Sequence, residues 1–279
     1  MHFDLRTSLL SISKLSNQKT PNQKLFSQKL SNQKPSVLKS LSMVAVAIAA
    51  FGSMSNLQAE TYFTDTSVSV LYGSDYELVE DGELTTATLE HVSAHDWGGV
   101  FFFVDRNQGA NDIENNRFRE TYGELSPTFK MATFDNRFIK QVNLAATYEF
   151  GSNSTGFDQD NYLVGIGADL NVPIPGMKFA SATLYHAFND NTDDDQQITL
   201  TYGWERNNFV IDGFIDYSFN NDDIEDNIHI NPQIKYNLQD MLGIDNRLEV
   251  GMEYSYWKNK YGVDGVNQNS PSALVKFHF

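Results

Sequence analysis

The stretch NIHINPQIKYNL, residues 227–238, decides the fold of this 279-residue chain. Every even-numbered position in it is apolar and every odd-numbered position is polar. Strict alternation over this length predicts a β-strand with one apolar face and one polar face. Pro232 has no backbone N–H to donate to a neighbouring strand, so a bulge or local distortion is expected beside it.

The same alternation, followed outward in both directions, predicts further strands separated by clusters of Asn, Asp, Gly and Ser. The predicted strands are 65–73, 85–94, 97–105, 118–130, 138–150, 161–171, 178–188, 197–205, 209–219, 227–238, 246–257 and 271–279. No part of this region has a convincing helical period. The pattern therefore predicts an all-β fold, and the even strand number suits a 12-stranded antiparallel transmembrane β-barrel.

The connections between the predicted strands alternate in length. Those that follow odd-numbered strands, beginning with 74–84, are mostly long and acidic, and the others are mostly short. Long loops at one end and tight turns at the other are typical of transmembrane barrels. A soluble sandwich is the alternative, but it needs a packed apolar core. Strands of about ten residues are long enough to span a bilayer at a tilt, which favours the membrane barrel.

The composition excludes several classes of function. The chain has 36 Asp and Glu against 20 Lys and Arg, a net charge of −16, which argues against nucleic acid as a partner. It has no cysteine, so it forms neither disulfides nor thiolate metal sites. No P-loop, dinucleotide fingerprint or metal-ligand cluster is present, and no cofactor is expected. The polar mean hydropathy of −0.40 is what alternating strands produce.

The N-terminal region differs from the rest of the chain. Residues 1–42 are polar and basic, and we interpret them as a disordered or over-long extension. The apolar run MVAVAIAAF at 43–51 and the small residue Ala59 predict a signal peptide over 43–59, with a buried core helix as the alternative. The mature barrel is then 60–279, with a net charge of −22, in the cell outer membrane of a Gram-negative bacterium.

The C-terminal strand carries a second signal of this location. Phe279 ends the chain, and Phe277, Val275 and Ala273 occupy alternate positions before it. A terminal aromatic on an alternating strand is similar to the signal that the outer-membrane assembly machinery reads, so that machinery is an expected partner. Outer-membrane lipid and lipopolysaccharide are further expected partners. The acidic loops either hold divalent cations that bridge to lipopolysaccharide or are simply solvated.

The polar faces of the strands predict the side chains that line the lumen. They are Glu90, Trp97, Phe101, Phe103, Asp105, Glu120, Tyr122, Glu124, Glu149, Asp169, Asp212, Asp216, Glu249, Glu253 and Trp257. Aromatic rings stack on flat ligands, and carboxylates accept hydrogen bonds from sugar hydroxyls. The set therefore suits a ligand with a ring and hydroxyl groups. The alternative is that these side chains brace a narrow barrel.

Three stretches resemble a known family: TATLEHVSAHDW (86–97), GELSPTF (123–129) and NYLVGIGADLNVPIPGMKFASATLYHAF (161–188). They are similar to the Tsx-type nucleoside-specific channel-forming proteins, which include vibrio outer-membrane proteins that serve as phage receptors. Glu90, the Asp96-Trp97 pair, and Glu124 with Pro127 match the family's motifs. The resemblance implies a monomeric twelve-stranded barrel whose narrow lumen passes nucleosides, and it adds phage to the expected partners.

Two other functions stay open. A general small-solute porin, or a structural or receptor barrel without nucleoside selectivity, needs the same fold. A hydrolase needs a histidine beside a carboxylate near the outer rim, and His186 with Asp190 is the pair that the predicted topology allows. Because strand geometry makes that pair a surface contact, we expect no enzyme, and a passive channel that requires no energy source.

Overall fold

The computed structural model describes residues 59–110 and 117–279. The predicted N-terminal extension and, apart from Ala59, the predicted signal peptide lie outside the described residues. The strands are β1 Thr61–Gly73, β2 Leu84–His95, β3 Gly98–Gly109, β4 Arg119–Thr133, β5 Ile139–Asn153, β6 Asp158–Leu170, β7 Met177–Phe188, β8 Asp195–Arg206, β9 Phe209–Phe219, β10 Asn227–Asn237, β11 Leu248–Lys258 and β12 Gln268–His278.

Each strand pairs antiparallel with the next, and β1 pairs with β12, so the sheet closes into a twelve-stranded barrel. This confirms the predicted fold. The short helix α1, Gln239–Leu242, lies between β10 and β11, and a 3₁₀ turn, Lys260–Gly262, follows β11. In the part of the chain that the structure describes, no helix is both long and apolar enough to cross a bilayer.

Burial along β12 shows which way the side chains point. Leu274 is 2% exposed, whereas its neighbour Val275 is 48% exposed, and the alternation continues along the strand. The odd-numbered residues from Asn269 to Phe277 therefore face outward. Outward apolar residues recur around the barrel as an exposed band: Val68, Val70, Leu89, Leu144, Val164, Ile166, Leu184, Ile198, Leu200, Ile234, Met252 and Val275. This band matches the exterior of transmembrane barrels.

The eleven connections between the strands define two ends of the barrel. We call the end that carries the connection 74–83 the loop end, and the end that carries the short connection 207–208 the turn end. Stacked outward rings lie toward the loop end, where the centroids of Tyr148 and Tyr162 are 5.0 Å apart. Aromatic side chains at both ends of an apolar band are typical of barrels in a bilayer.

Of the two expectations at Pro232, the structure shows a local distortion and not a bulge. Ile230 pairs with Tyr256 before the proline and Gln233 pairs with Glu253 after it, so the register between β10 and β11 is unchanged. Asn231 and Pro232 themselves have no register partners on β11, although Pro232 lies opposite Gly213 of β9. The missing N–H is therefore accommodated by a local gap in one ladder and not by an inserted residue.

Trp97 does not take the strand position predicted for it. It lies in the tight turn between β2 and β3, and its ring stacks on His95 with centroids 5.0 Å apart and planes 5° from parallel. The ring centroids of Trp97 and Phe129 are 5.6 Å apart. Phe129 faces outward, because it pairs across strands with the exposed Leu144. Because Gly98 adopts a φ of 148°, the chain turns one residue later than the alternation alone indicated. Trp97 thus belongs to an aromatic cluster at the turn end.

Candidate functional site

All the predicted lumen residues other than Trp97 occupy inward positions of the barrel. Register and burial place on the inner face Glu90, Phe101, Phe103, Asp105, Glu120, Tyr122, Glu124, Glu149, Asp169, Asp212, Asp216, Glu249, Glu253 and Trp257. The alternation of the strands explains this agreement, because every second residue of a closed barrel points into its interior. The interior brings these residues into four groups.

The first group is a ladder of rings on β3 and β4. The ring centroids of Phe101 and Phe103 are 5.7 Å apart, and those of Phe103 and Tyr122 are 5.8 Å apart. The planes are tilted by 41° and 55°, as aromatic neighbours prefer. We call Phe101, Phe103 and Tyr122 the first ladder.

The second group is a longer ladder on β9, β10 and β11. The centroids of Phe214 and His229 are 5.0 Å apart, those of His229 and Trp257 are 4.2 Å apart, and those of Trp257 and Tyr261 are 4.6 Å apart. We call Phe214, His229, Trp257 and Tyr261 the second ladder. His229 and Tyr261 were not among the predicted lumen residues.

The two ladders lie on opposite walls of the barrel. In the closed ring of twelve strands, β3 and β9 are six strands apart, as are β4 and β10. His229 lies on the polar face of β10. Its place in the alternating pattern therefore could have identified it as a lumen residue from the sequence. Tyr261 lies in a loop, where no strand period indicates its direction.

The third group consists of carboxylates between the ladders. Glu124 of β4 and Glu149 of β5 are direct cross-strand partners. The Tyr122 hydroxyl donates to Glu124 at 2.7 Å, and Asn161 donates to Glu149 at 3.1 Å. Asp216 accepts from the Thr199 hydroxyl at 2.6 Å. Each carboxylate thus keeps a donor of its own while it contributes negative charge to the interior.

Carboxylates also interact across the interior. Glu124 and Glu149, on one wall, both interact electrostatically with Asp216 on the opposite one. Asp105 of β3 interacts in the same way with Glu253 of β11. Interactions between strands that are not neighbours in the sheet require a narrow interior, since screening by water weakens charge–charge interactions at longer range. A further inward carboxylate, Glu120, accepts a hydrogen bond from the Asn107 side chain at 3.0 Å.

The fourth group is a set of ion pairs at the turn end. Lys235 contacts Asp212 at 2.8 Å and Glu249 at 3.4 Å, and its side chain is 1% exposed. Lys276 pairs with Glu90 at 2.6 Å. Further pairs are Arg247 with Glu249, Arg247 with Glu205, and His278 with Asp65. The carboxylates Glu90, Asp212 and Glu249 are therefore compensated by cations.

The charge of the interior is uneven as a result. The cations Lys235, Arg247, Lys276 and His278 all lie within three residues of strand ends at the turn end. Asp169, which accepts from Asn143 at 3.2 Å, also lies near that end of β6. Lys260 is a buried cation at the loop end and faces Glu120. Glu124, Glu149 and Asp216, between the two ladders, have no ion pair among the described residues.

The residues named for a possible hydrolase do not form the predicted pair. His186 faces outward near the loop end, and the carboxylate beside it belongs to Asp194, at 3.8 Å, and not to Asp190. Both side chains of this pair are nearly half exposed. Among residues 59–110 and 117–279, no group of three or more His, Cys, Asp or Glu side chains is arranged to hold a metal ion.

The chain matches one protein family and is similar in fold to several barrels of known structure. A family described as "Domain of unknown function (DUF5020)" matches residues 69–279. No curated protein matches the sequence. Among solved structures, the barrel is similar to the KdgM porin, with a TM-score of 0.46, 12% identity and coverage of 76% of this chain and 99% of that one.

Two further structures are similar at the same level. The NanC porin has a TM-score of 0.48 and 10% identity, with coverage of 76% and 98% of the two chains. Outer membrane phospholipase A from Escherichia coli has a TM-score of 0.49 and 12% identity, with coverage of 79% and 98%. These similarities carry no argument about activity. The finer resemblance to Tsx-type channels rests on the sequence stretches alone.

Proposed function

The chain belongs to the DUF5020 family. From the residues of its lumen we propose that it is an outer-membrane channel for passive, selective diffusion of nucleosides into the periplasm. The observation that carries the proposal is the pair of aromatic ladders on opposite walls with carboxylates between them. A nucleoside presents a flat base to the rings and ribose hydroxyls to the carboxylates.

The exterior of the barrel supports the membrane location. The exposed band of Val, Leu, Ile and Met is what lipid chains contact, and a soluble protein rarely exposes apolar surface of that extent. Phe279 is 71% exposed at the end of β12, where the assembly machinery is proposed to read it. With this orientation the loop end faces outward, its acidic loops meet lipopolysaccharide, and the turn end faces the periplasm.

The charge of the lumen supports selection against anions. Glu124, Glu149 and Asp216 form a zone of carboxyl groups with no ion pair among the described residues, and the zone is negative to the extent that these groups ionise. A nucleotide carries a phosphate dianion, so it meets repulsion in a narrow, poorly screened passage. The corresponding nucleoside has no phosphate, is neutral and meets no such repulsion. We therefore propose that the channel passes nucleosides and excludes nucleotides.

The weak affinity of a single stacking contact is compatible with movement through the lumen. Base–aromatic stacking contributes about 1–3 kcal/mol per base, which is enough to bind and too little to trap a solute. Conduction requires several weak sites in series. The two ladders supply separate stacking surfaces on opposite walls. The monomer is proposed as the working unit, since one barrel contains both ladders.

Uptake into liposomes tests this proposal. Vesicles that contain the purified protein are expected to admit adenosine and uridine faster than sucrose, and much faster than adenosine monophosphate. Protein-free vesicles give the background rate. Equal rates for nucleosides and sugars of similar size would leave a general small-solute porin as the function. Binding of phage to the loop end is a separate property that this measurement does not address.

A further inference from the structure

The first connection at the loop end folds into the barrel. We call residues 74–83 the strap. Its backbone and side chains bond to the inner face of β12: the Ser270 hydroxyl donates to the Asp75 carbonyl at 2.7 Å, and the hydroxyls of Tyr76 and Ser272 share a hydrogen bond of 2.6 Å. The Glu77 N–H donates to the Gln268 side chain at 3.2 Å. The strap therefore occupies space inside the outer mouth.

The wall beneath the strap is built from small side chains. The inner face of β12 carries Ser270 and Ser272, and the facing end of β1 carries Gly73. Ser270 is 0% exposed and Ser272 is 2% exposed, although both point into the interior of a barrel. At Gly73 an added Cβ would lie 2.1 Å from the Ser272 hydroxyl oxygen. Small residues here leave room for the strap against this wall.

A lysine from the last loop holds the strap. Lys260, in the 3₁₀ turn after β11, is 6% exposed, and its ammonium donates to the Glu77 carbonyl at 3.2 Å and to the Gln268 side chain. The same ammonium lies 5.9, 5.5 and 5.3 Å from the ring centroids of Tyr76, Trp257 and Tyr261. Distances below about 6 Å allow cation–π attraction.

The strap is also connected to the second ladder. Gln268, which contacts both the strap and Lys260, donates to the Ser255 hydroxyl at 2.8 Å. Ser255 in turn shares a hydrogen bond of 3.0 Å with the His229 ring. The ring of His229 stacks on Trp257, which contacts Lys260. A solute that stacks on the second ladder would therefore disturb the contacts that hold the strap.

From these contacts we propose that the strap is a lid inside the outer mouth, held by Lys260 in the cage formed by Tyr76, Trp257 and Tyr261, and that it swings out when a solute engages the second ladder. The proposal rests on the proposed channel function, because a lid matters only if solutes pass. The lid has a closed state and an open state, which differ in the contacts of residues 75–77.

Cross-linking tests the lid directly. The chain has no cysteine, so the substitutions Asp75→Cys and Ser270→Cys introduce the only two thiols. Joining them, by oxidation or by a short bis-thiosulfonate, is expected to remove most of the single-channel conductance, and reduction is expected to restore it. Each single-cysteine variant serves as a control. Unchanged conductance in a protein shown by gel shift to be cross-linked would overturn the proposal.

Thiol accessibility gives a readout that does not depend on nucleosides. In the Ser272→Cys variant, a water-soluble thiosulfonate is expected to react slowly, and deletion of residues 76–81 is expected to accelerate the reaction by about tenfold or more, the factor expected when two or three net hydrogen bonds are lost. Ala273→Cys, which faces outward, is the control. An unchanged rate at residue 272 would contradict the lid even in a protein that fails to select nucleosides.

Discussion

The rings of His229 and Trp257 stack face to face on the inner side of β10 and β11, with centroids 4.2 Å apart and planes 5° from parallel. Direct cross-strand pairing places them there. Trp257 also donates its indole N–H to the Asn227 side chain at 3.1 Å, so its ring is held in orientation. A preoriented pair of rings beside carboxylates is the feature on which the proposed selectivity depends.

Replacing Trp257 by leucine should weaken nucleoside binding in the lumen. Losing one stacking surface of about 1–3 kcal/mol raises the half-blocking concentration of adenosine by about 5- to 150-fold. Single-channel recording with increasing adenosine measures this concentration. Tyr162→Leu removes a ring of a stacked outward pair and is the matched control, expected to leave the block unchanged. If the two variants behaved alike, the second ladder would have no role in binding.

Neutralising Glu124 and Glu149 together should reduce the preference of the channel for cations. The double Gln variant keeps the hydrogen-bonding shape but removes two ionisable groups from the zone of carboxyl groups between the ladders. The reversal potential in a potassium chloride gradient should move toward zero. Asp160→Asn, on the outward face of β6, is the control and should leave it unaltered. If the reversal potential were the same in the wild type and in both variants, Glu124 and Glu149 would not determine the ion preference.

Lys235→Met should destabilise the barrel. The lysine side chain is 1% exposed and pairs with Asp212 and Glu249, of which Glu249 is equally buried. Removing one member of a buried pair leaves charge uncompensated and costs about 3–5 kcal/mol. Urea unfolding in lipid vesicles measures the free energy of unfolding. Lys178→Met removes an exposed lysine 4.0 Å from Glu205 and should cost less than about 1 kcal/mol. Equal losses would mean that the Lys235 pairs do not stabilise the fold.

The closed lid should become more stable as the pH rises through about 8. Burial lowers the pKa of Lys260 to about 8, whereas a lysine released to water titrates near about 10.4. The open lid therefore binds more protons in this range, and removing protons favours the closed lid. The titratable groups that face Lys260 are Glu77, Glu120, Tyr76, Tyr261 and His229.

Conductance between pH 7 and pH 10 checks this expectation. Burial raises the pKa of Tyr76 to about 12, and a tyrosine released to water titrates near about 10, so Tyr76 contributes little below about pH 9. Wild-type conductance should fall as the pH rises, and Lys260→Met should remove the dependence. A wild-type conductance that rises with pH would contradict the assigned direction. A dependence that survives in Lys260→Met would assign it to another group.

Alternation in the sequence was enough to predict the strands and most of the inward residues. A strand of period two in a closed barrel has only two faces, so Glu124, Glu149 and Asp216 could be placed without a structure. Trp97 was misplaced because the alternation does not reveal at which residue a tight turn ends. The buried pairs of Lys235 and Lys276 depend on which strands are neighbours across the interior, and this information is not local in the sequence.

The lid could not be predicted, because loops have no period that reports their direction. The residues 74–83 are acidic and polar, and as a sequence they are typical of a solvated loop. The inward serines of β12 were the available signal, since a barrel wall of small side chains has to be covered by another segment. Lys260 differs from an ordinary surface lysine only through the rings that surround it.

Single-channel recording of the wild-type protein with adenosine and sucrose at matched concentrations tests the central claim most directly. The account predicts that adenosine blocks the current in a saturable, concentration-dependent way, because it occupies the ladders while it passes. Sucrose should reduce the current only in proportion to the viscosity of the solution. Equal, non-saturating effects of the two solutes would contradict a nucleoside-selective lumen.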